Sequence, residues 1–376
     1  MPTPLAWRNV THKKVRTAAA LTGVCFAIVL MFMQLGFYDV VFRASTMLID
    51  QFAFDAVLVS PQYVHLRASA SFPRDRLAQA RSVPGVASAS PLYVANGAWR
   101  NAETGARREL PILAVDPDEP SFKLPALVQN APLLHELDVA LMDTRAQKRY
   151  GPIHPGLVSE LENRRITVGA TYGYGSGFMA DASVIVSDRT LVRVARDASR
   201  DAVSVGLVRV APGTSVKAVM AGLRERLPAD VKVWSRRELE ANEQRFFAEV
   251  KPIGLMFFSG VLLAFSVGGI ILYQILSAEV TNHIKEFATL MAMGYKERFL
   301  VMVVVQEATL FALLGFVPAL FLALFMYLVI GWATQLPMVM TAARFLGVLV
   351  LSIAMCAVAG LIASRKVGRA DPADLF

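Results

Sequence analysis

Four apolar runs, at residues 17–43, 253–277, 299–330 and 343–363, constrain this chain more than any other feature. A hydrocarbon core about 30 Å thick is crossed by about 20 helical residues, and each run meets that length. In lipid only helices and closed barrels satisfy their own backbone, so the expected fold is an α-helical membrane protein with four transmembrane helices. Residues 44–252, between the first and second runs, then form a large extracytoplasmic domain. Composition agrees: 55% of the 376 residues are hydrophobic, 18% are charged and the mean hydropathy is +0.47. That balance suits a membrane protein with a sizeable soluble part.

Orientation follows from the charges. Residues 1–16 carry Arg8, Lys13, Lys14 and Arg16 and no acid, with Trp7 placed where an aromatic ring can lie among headgroups. A secretory signal peptide also begins with a basic flank, but Tyr38-Asp39-Val40-Val41-Phe42-Arg43 offers no small-residue cleavage site. The first run therefore reads as an uncleaved helix with a cytoplasmic N-terminus. Four crossings return the C-terminal tail, 364–376, to the same side. Lys285, Lys296 and Arg298 between the second and third runs, and Arg365, Lys366 and Arg369 in the tail, fit the positive-inside bias, while the outer loop 331–342 is uncharged. The chain is expected to be a multi-pass protein of a bacterial inner (cytoplasmic) membrane, with residues 44–252 in the periplasm.

The outer domain reads as mixed α/β. Strand-like runs at 54–66, 86–100 and 109–115 surround a short helix at 73–83 that stops at Pro84-Gly85. A second unit, strand 203–210, helix 215–227 and strand 231–234, closes the domain. Two βαβ-type halves side by side, with residues 120–200 inserted between them, are expected. From Ser235 a polar helix, the stalk 235–252, leads toward the second span.

Between the second and third spans, residues 278–298 form an amphipathic elbow. Val280, Ile284, Phe287 and Met291 recur at helical spacing on one face, Glu279, Asn282, Glu286 and Thr289 lie largely elsewhere, and Gly294 suits the helix end. From pattern alone this is equally an ordinary interfacial helix. In the third span Glu307 is costly unless it snorkels or faces protein, so it is either a membrane coupling group or a helix–helix contact. Asp39, Gln34 and Gln274 read first as helix–helix contacts. The third span is long and contains Gly315 and Pro318, where a kink or tilt is expected.

Several chemistries lack their residues. G-x-S-x-G fails at Tyr174 in Gly169–Phe178, leaving a flexible loop with Tyr172, Tyr174, Ser176 and Phe178 as partner-contact candidates. His65, His135 and His154 are scattered, no metal-ligand spacing exists, and Cys25 and Cys356 both lie in apolar runs. No G-x-x-x-x-G-K-[ST] occurs, so no nucleotide cofactor is expected in this chain. The net charge of +8 is concentrated beside the membrane segments, which argues against nucleic acid. No nucleophile, base and orienting group stand out, so catalysis is not expected; a membrane-tethered enzyme is the weaker reading.

The elbow E-V-T-N-H-I-K-E-F-A-T-L-M-A-M-G-Y, with Leu300-Val301 and Glu307-Ala308, resembles the segment between the second and third spans of MacB-type permeases of ABC transporters, the MacB/FtsX-type (type VII) superfamily, most nearly its DevC branch. Leu5-Ala6-Trp7-Arg8-Asn9 with Lys14-Val15-Arg16-Thr17 resembles the family's amphipathic N-terminal helix, and Arg369-Ala370-Asp371-Pro372-Ala373-Asp374 its terminal motif. The resemblance implies a mechanotransmitting homodimer on a separate cytoplasmic ABC ATPase that holds ATP and Mg. It also implies a periplasmic membrane-fusion adaptor, an outer-membrane channel, contact with membrane lipid and export of a lipid-like or amphiphilic cargo. An FtsX-like regulator of a cell-wall hydrolase is the alternative. It further implies ATPase coupling through Glu279, His283, Lys285, Glu286, Phe287, Leu290, Met291, Ala292, Met293 and Gly294. His283 and Met291 stand where the family often has basic residues, which puts salt bridges there in doubt.

Overall fold

The computed structural model describes residues 14–144, 150–173, 182–247, 253–284, 286, 289, 290, 293, 295–334 and 338–365. Along the chain run α1 (Lys14–Asp50), β1 (Ala56–Val59), β2 (Phe72–Pro73), α2 (Asp75–Arg81), β3 (Val86–Arg100), β4 (Arg107–Val115), α3 (Pro125–Asn130), a 3-10 turn (Ala131–His135), β5 (Val139–Asp143) and β6 (Val158–Leu161). There follow β7 (Arg164–Tyr172), β8 (Val184–Ser187), α4 (Asp188–Val194), β9 (Ala202–Val203), β10 (Val205–Val210), α5 (Val216–Arg226), β11 (Lys232–Ser235), α6 (Arg236–Arg245), α7 (Ile253–Asn282), α8 (Glu297–Thr334) and α9 (Ala342–Ser364). The chain divides into two compact units, one holding Val41–Pro252 and the other the residues before and after it.

Within Val41–Pro252 the described strands build a nine-stranded sheet in the order β11-β1-β10-β3-β4-β8-β5-β7-β6. β10 lies antiparallel between β1 and β3, and β1 lies antiparallel between β10 and β11. The two strand–helix–strand units read from the sequence therefore interleave, each placing a strand between the two strands of the other. The inserted region is not a separate body. β8 pairs in parallel with β4 (Ile112↔Val184), β5 and β7 extend the sheet, and β6 returns to β3 through Trp99↔Leu161. The inserted strands thus close a ring on the far half of β3.

Both faces of this sheet are covered, which explains why β1, β4, β5 and β8 read as short apolar runs without clean alternation. Ala56 and Leu58 pack with Leu77 and Ala80 of α2 and Val219 and Leu223 of α5. Val57 and Val59 pack on the other face with Leu48 and Ile49 at the end of α1 and Leu239 of α6. Trp99 is fully buried and donates its indole N–H to Tyr150 O at 3.2 Å. Arg74 joins Asp116 at 2.6 Å and Asp188 at 3.3 Å, and Arg200 reaches Asp188 at 2.6 Å, tying α4 back to β4 and the start of α2. The helix ends follow local chemistry. Gly85 at φ +89° stands where α2 gives way to β3, with Thr214 and Val219 too close for a Cβ. Ser235 and Glu238 form a reciprocal capping box at the start of α6, at 3.2 and 2.6 Å.

In the other unit α1, α7, α8 and α9 are, among the described residues, the four helices long and apolar enough to cross a membrane. α1 is longer than its apolar run, and from Val41 onward it belongs to the sheet-bearing unit. Phe32, Phe316 and Phe345 meet in sequence, the first pair tilted and the second edge to face, with ring centroids 5.7 and 5.2 Å apart, and join α1, α8 and α9. α8 runs unbroken from Glu297 to Thr334 with Pro318 inside it. Gly315 serves close packing: a Cβ there would meet Val24 of α1 at 2.9 Å.

Candidate functional site

The elbow starts in the last turns of α7, where Glu279 is buried at 8% exposure and its backbone carbonyl accepts the backbone N–H of His283 at 3.0 Å. Ile284, Glu286, Thr289 and Leu290 are helical. Met293 N–H donates to Thr289 O at 3.0 Å and Tyr295 N–H to Leu290 O at 3.1 Å, the second being the six-to-one closure with which many helices end. Val280, Leu300 and Val304 are buried together, with Leu290 and Phe299 half-buried against them. Tyr295 lies over Phe299 with ring centroids 5.0 Å apart. The elbow is therefore seated on the ends of α7 and α8 by a small apolar pad.

Its other face is open. The Glu286 side chain is 72% exposed and pairs with His283 Nδ1 at 3.0 Å when that ring is protonated, and Met293 and Tyr295 are exposed. Of the sequence-derived coupling residues, Glu279, His283, Glu286, Leu290 and Met293 are brought together here. Lys285, Phe287, Met291, Ala292 and Gly294 lie outside the described residues. Among its described residues no nucleophile and base are in contact. What the described residues supply is a short, partly charged surface packed on the ends of α7 and α8.

Toward the other end of α8 lies an ion pair between α1 and α9 with a buried arginine. Arg344, in the first turn of α9, is 7% exposed and donates to Asp39 of α1 at 2.7 Å, to Tyr327 Oη of α8 at 3.2 Å and to Val339 O at 3.0 Å. Thr341 caps α9 through the Arg344 N–H at 3.3 Å. Tyr327 in turn donates to Phe32 O, and a Cβ on Gly36 would collide with its hydroxyl. Three helices are thereby pinned at one point. Asp39 is the helix–helix contact expected of it; Arg344 was missed. Its signal was a lone arginine beginning the fourth run beyond an uncharged loop, a charge that needs a partner near lipid. Gln34 lies against Gly260, and Gln274 is exposed. Glu307 is buried at 3% exposure, next to Ala308, which packs against Gly360 of α9, so it faces protein.

In the sheet-bearing unit, α6 carries a buried carboxylate that the sequence reading passed over. Glu243, 1% exposed, accepts from Tyr63 Oη at 2.6 Å and Leu66 N–H at 3.0 Å. Burial pushes its carboxyl up to about 7, against the pull of both hydrogen bonds, and pushes the Tyr63 hydroxyl well above its usual range. Asn242 donates to Val64 O at 2.8 Å and the His65 ring lies 4.1 Å from Phe246. Residues 63–66 and the stalk are thus fastened together. Tyr172 corrects an expectation: it is 3% exposed, with its hydroxyl 2.9 Å from Ser183 Oγ, because β7 is an inner strand here, so its side chain is not available to a partner. Tyr174, Ser176 and Phe178 lie outside the described residues. Among the described residues no group of three His, Cys, Asp or Glu is placed to hold a metal ion.

Comparison with known families matches residues 17–226 to the MacB-like periplasmic core domain and residues 256–372 to the FtsX-like permease C-terminal region. Among solved structures, the periplasmic region of MacB from Actinobacillus actinomycetemcomitans is similar at 8% identity and a TM-score of 0.37, covering 52% of this chain and 94% of that one. The extracellular domain of the noncanonic ABC-type transporter YknZ from Gram-positive bacteria is similar at 11% identity and a TM-score of 0.34, covering 49% and 100%. No curated protein matches.

Proposed function

Because this chain belongs to the MacB/FtsX-type ABC permease family, we propose that it is the non-catalytic, force-transmitting subunit of an exporter. Two copies sit on a separate cytoplasmic ATPase, which holds ATP and Mg, and each elbow docks into one ATPase subunit. Both termini and the elbow face the cytoplasm across the inner membrane, and residues 44–252 face the periplasm. The observation that carries the reading is the elbow itself: a helix end packed on Val280, Leu300 and Val304 that leaves Glu286, Met293 and Tyr295 open. A docked partner moving that surface moves α7 and α8 with it, because the pad and the helices are one packed body.

In this scheme the motion is delivered to the outer domain, where a DevC-like partner set, a membrane-fusion adaptor and an outer-membrane channel, would receive a lipid-like or amphiphilic cargo. Glu286→Arg combined with Met293→Asp should leave membrane insertion intact and remove the ATPase from the chain purified in mild detergent. Equal ATPase retention by wild type and variant would count against elbow docking. Recovery of a cell-wall hydrolase in place of an adaptor would redirect the same machinery to FtsX-like regulation.

A further inference from the structure

β3 is longer than any strand that pairs with it, and among the described residues part of one edge has no strand beside it. β10 covers that edge as far as Leu92, opposite Val205, and β6 resumes at Trp99, opposite Leu161. At about 3.3 Å per residue the interval spans roughly 20 Å. The direction of its backbone groups is fixed by its neighbours. Val94 N–H donates to Ser204 Oγ at 3.0 Å, Ala98 N–H to Glu162 Oε1 at 2.6 Å, and Ala98 O accepts Glu162 N–H at 3.0 Å. All of these point away from β4. Strand geometry gives Asn96, midway between them, the same direction. Its counterpart on β4 is Pro111, which has no N–H to offer.

Asn96 N–H and C=O, and Val94 C=O, therefore address an open groove of about 790 Å³. Its walls include Ser69, Ser71, Asn163, Ser199 and Ser204. Arg67 holds the Asn96 side-chain oxygen at 2.9 and 3.2 Å and so keeps that side chain to one side. The charges at the groove balance in sign: Glu162 and Asp197 against Arg196 of the wall and Arg67 on Asn96. A groove with paired strand donors and acceptors, hydroxyl and amide walls and no net field matches an extended polypeptide with small uncharged side chains better than an anion or an acyl chain.

We propose that this interval of β3 is a docking site for an extended, uncharged segment of a partner protein, about three or four residues long, which adds to the sheet as an extra strand. It is independent of the elbow, since neither its residues nor its partner chemistry involve the ATPase. The test uses the full chain in its native membranes with a benzophenone amino acid at Ser199, and the crosslinked peptides are sequenced. Adducts should concentrate on one contiguous, uncharged segment of one partner. Asn96→Pro, which deletes the central donor without breaking a ladder bond, should lower their yield at least tenfold at an unchanged unfolding midpoint. If that variant unfolds, Ser71→Trp, which fills the groove from an exposed wall position, should give the same loss. Adducts scattered over unrelated sequences, lying on a second copy of this chain or on lipid, or undiminished in a folded variant, would overturn the proposal.

Discussion

The two ends of the membrane bundle are built by opposite means. At one end the elbow rests on three buried aliphatic side chains and exposes its polar face. At the other, Arg344, Asp39 and Tyr327 lock α1, α8 and α9 through a buried, hydrogen-bonded charge. An apolar pad is non-directional, so it carries the elbow with α7 and α8 without fixing a single geometry. The pair at Arg344 fixes one, because separating it leaves a desolvated guanidinium. The contrast describes a bundle held rigid at the end near Arg344 and able to accept a push at the elbow.

The sharpest way to break that contrast is at the rigid end. Asp39→Asn, which leaves the buried Arg344 charge without its partner carboxylate, should destabilise the bundle by about 3–5 kcal/mol, Arg344→Met, which leaves an Asp39 that is 33% exposed, by less, and combining Asp39→Leu with Arg344→Met should recover much of the loss. Unfolding in detergent, followed as a double-mutant cycle, checks this; additive losses would show that the pin is not a pair.

A second, smaller effect lies in the stalk. The Glu243 carboxyl is raised in the fold to about 7 from its ordinary value near 4.5. The native state therefore binds the extra proton between those values, and stability falls as pH rises through that window. The penalty is complete above about 7 and amounts to roughly 3 kcal/mol. Glu243→Gln should flatten the pH dependence of unfolding between pH 5 and 8, followed by Trp234 fluorescence; an unaltered slope would assign it elsewhere.

Smaller again, Ser235→Ala removes the cap of α6 and should cost about 1 kcal/mol, read by the same signal. Smallest in stability is the elbow: Glu286→Arg on an exposed surface should move the unfolding midpoint by less than about 0.5 kcal/mol. A large loss there would mean that the elbow is a structural element like the pin, and the contrast between the two ends would fail.

The spans, the elbow and the strand–helix–strand units were legible because each is written in local periodicity: long apolar runs, i to i+4 spacing, and turn residues such as Pro84-Gly85. Strand order was not, since β1 and β10 meet across the whole inserted region and nothing local records that pairing. The same limit hid Arg344, whose partner lies in the first helix, and Glu243, whose polar neighbourhood in the sequence gives no sign that the fold buries it. Tyr172 failed for a related reason: adjacent glycines suggested an exposed loop, while the pairing of β7 with β5 put that residue in the core.

The central claim is that force enters at the elbow and reaches the outer domain. Its most direct measurement is the distance between spin labels at Asp197 of two copies, in the full complex with its ATPase and in a background lacking Cys25 and Cys356. Trapping with ATP, Mg and vanadate should change that distance in the wild-type elbow and leave it unchanged with Glu286→Arg. An identical change in both, or none in either, would contradict the account.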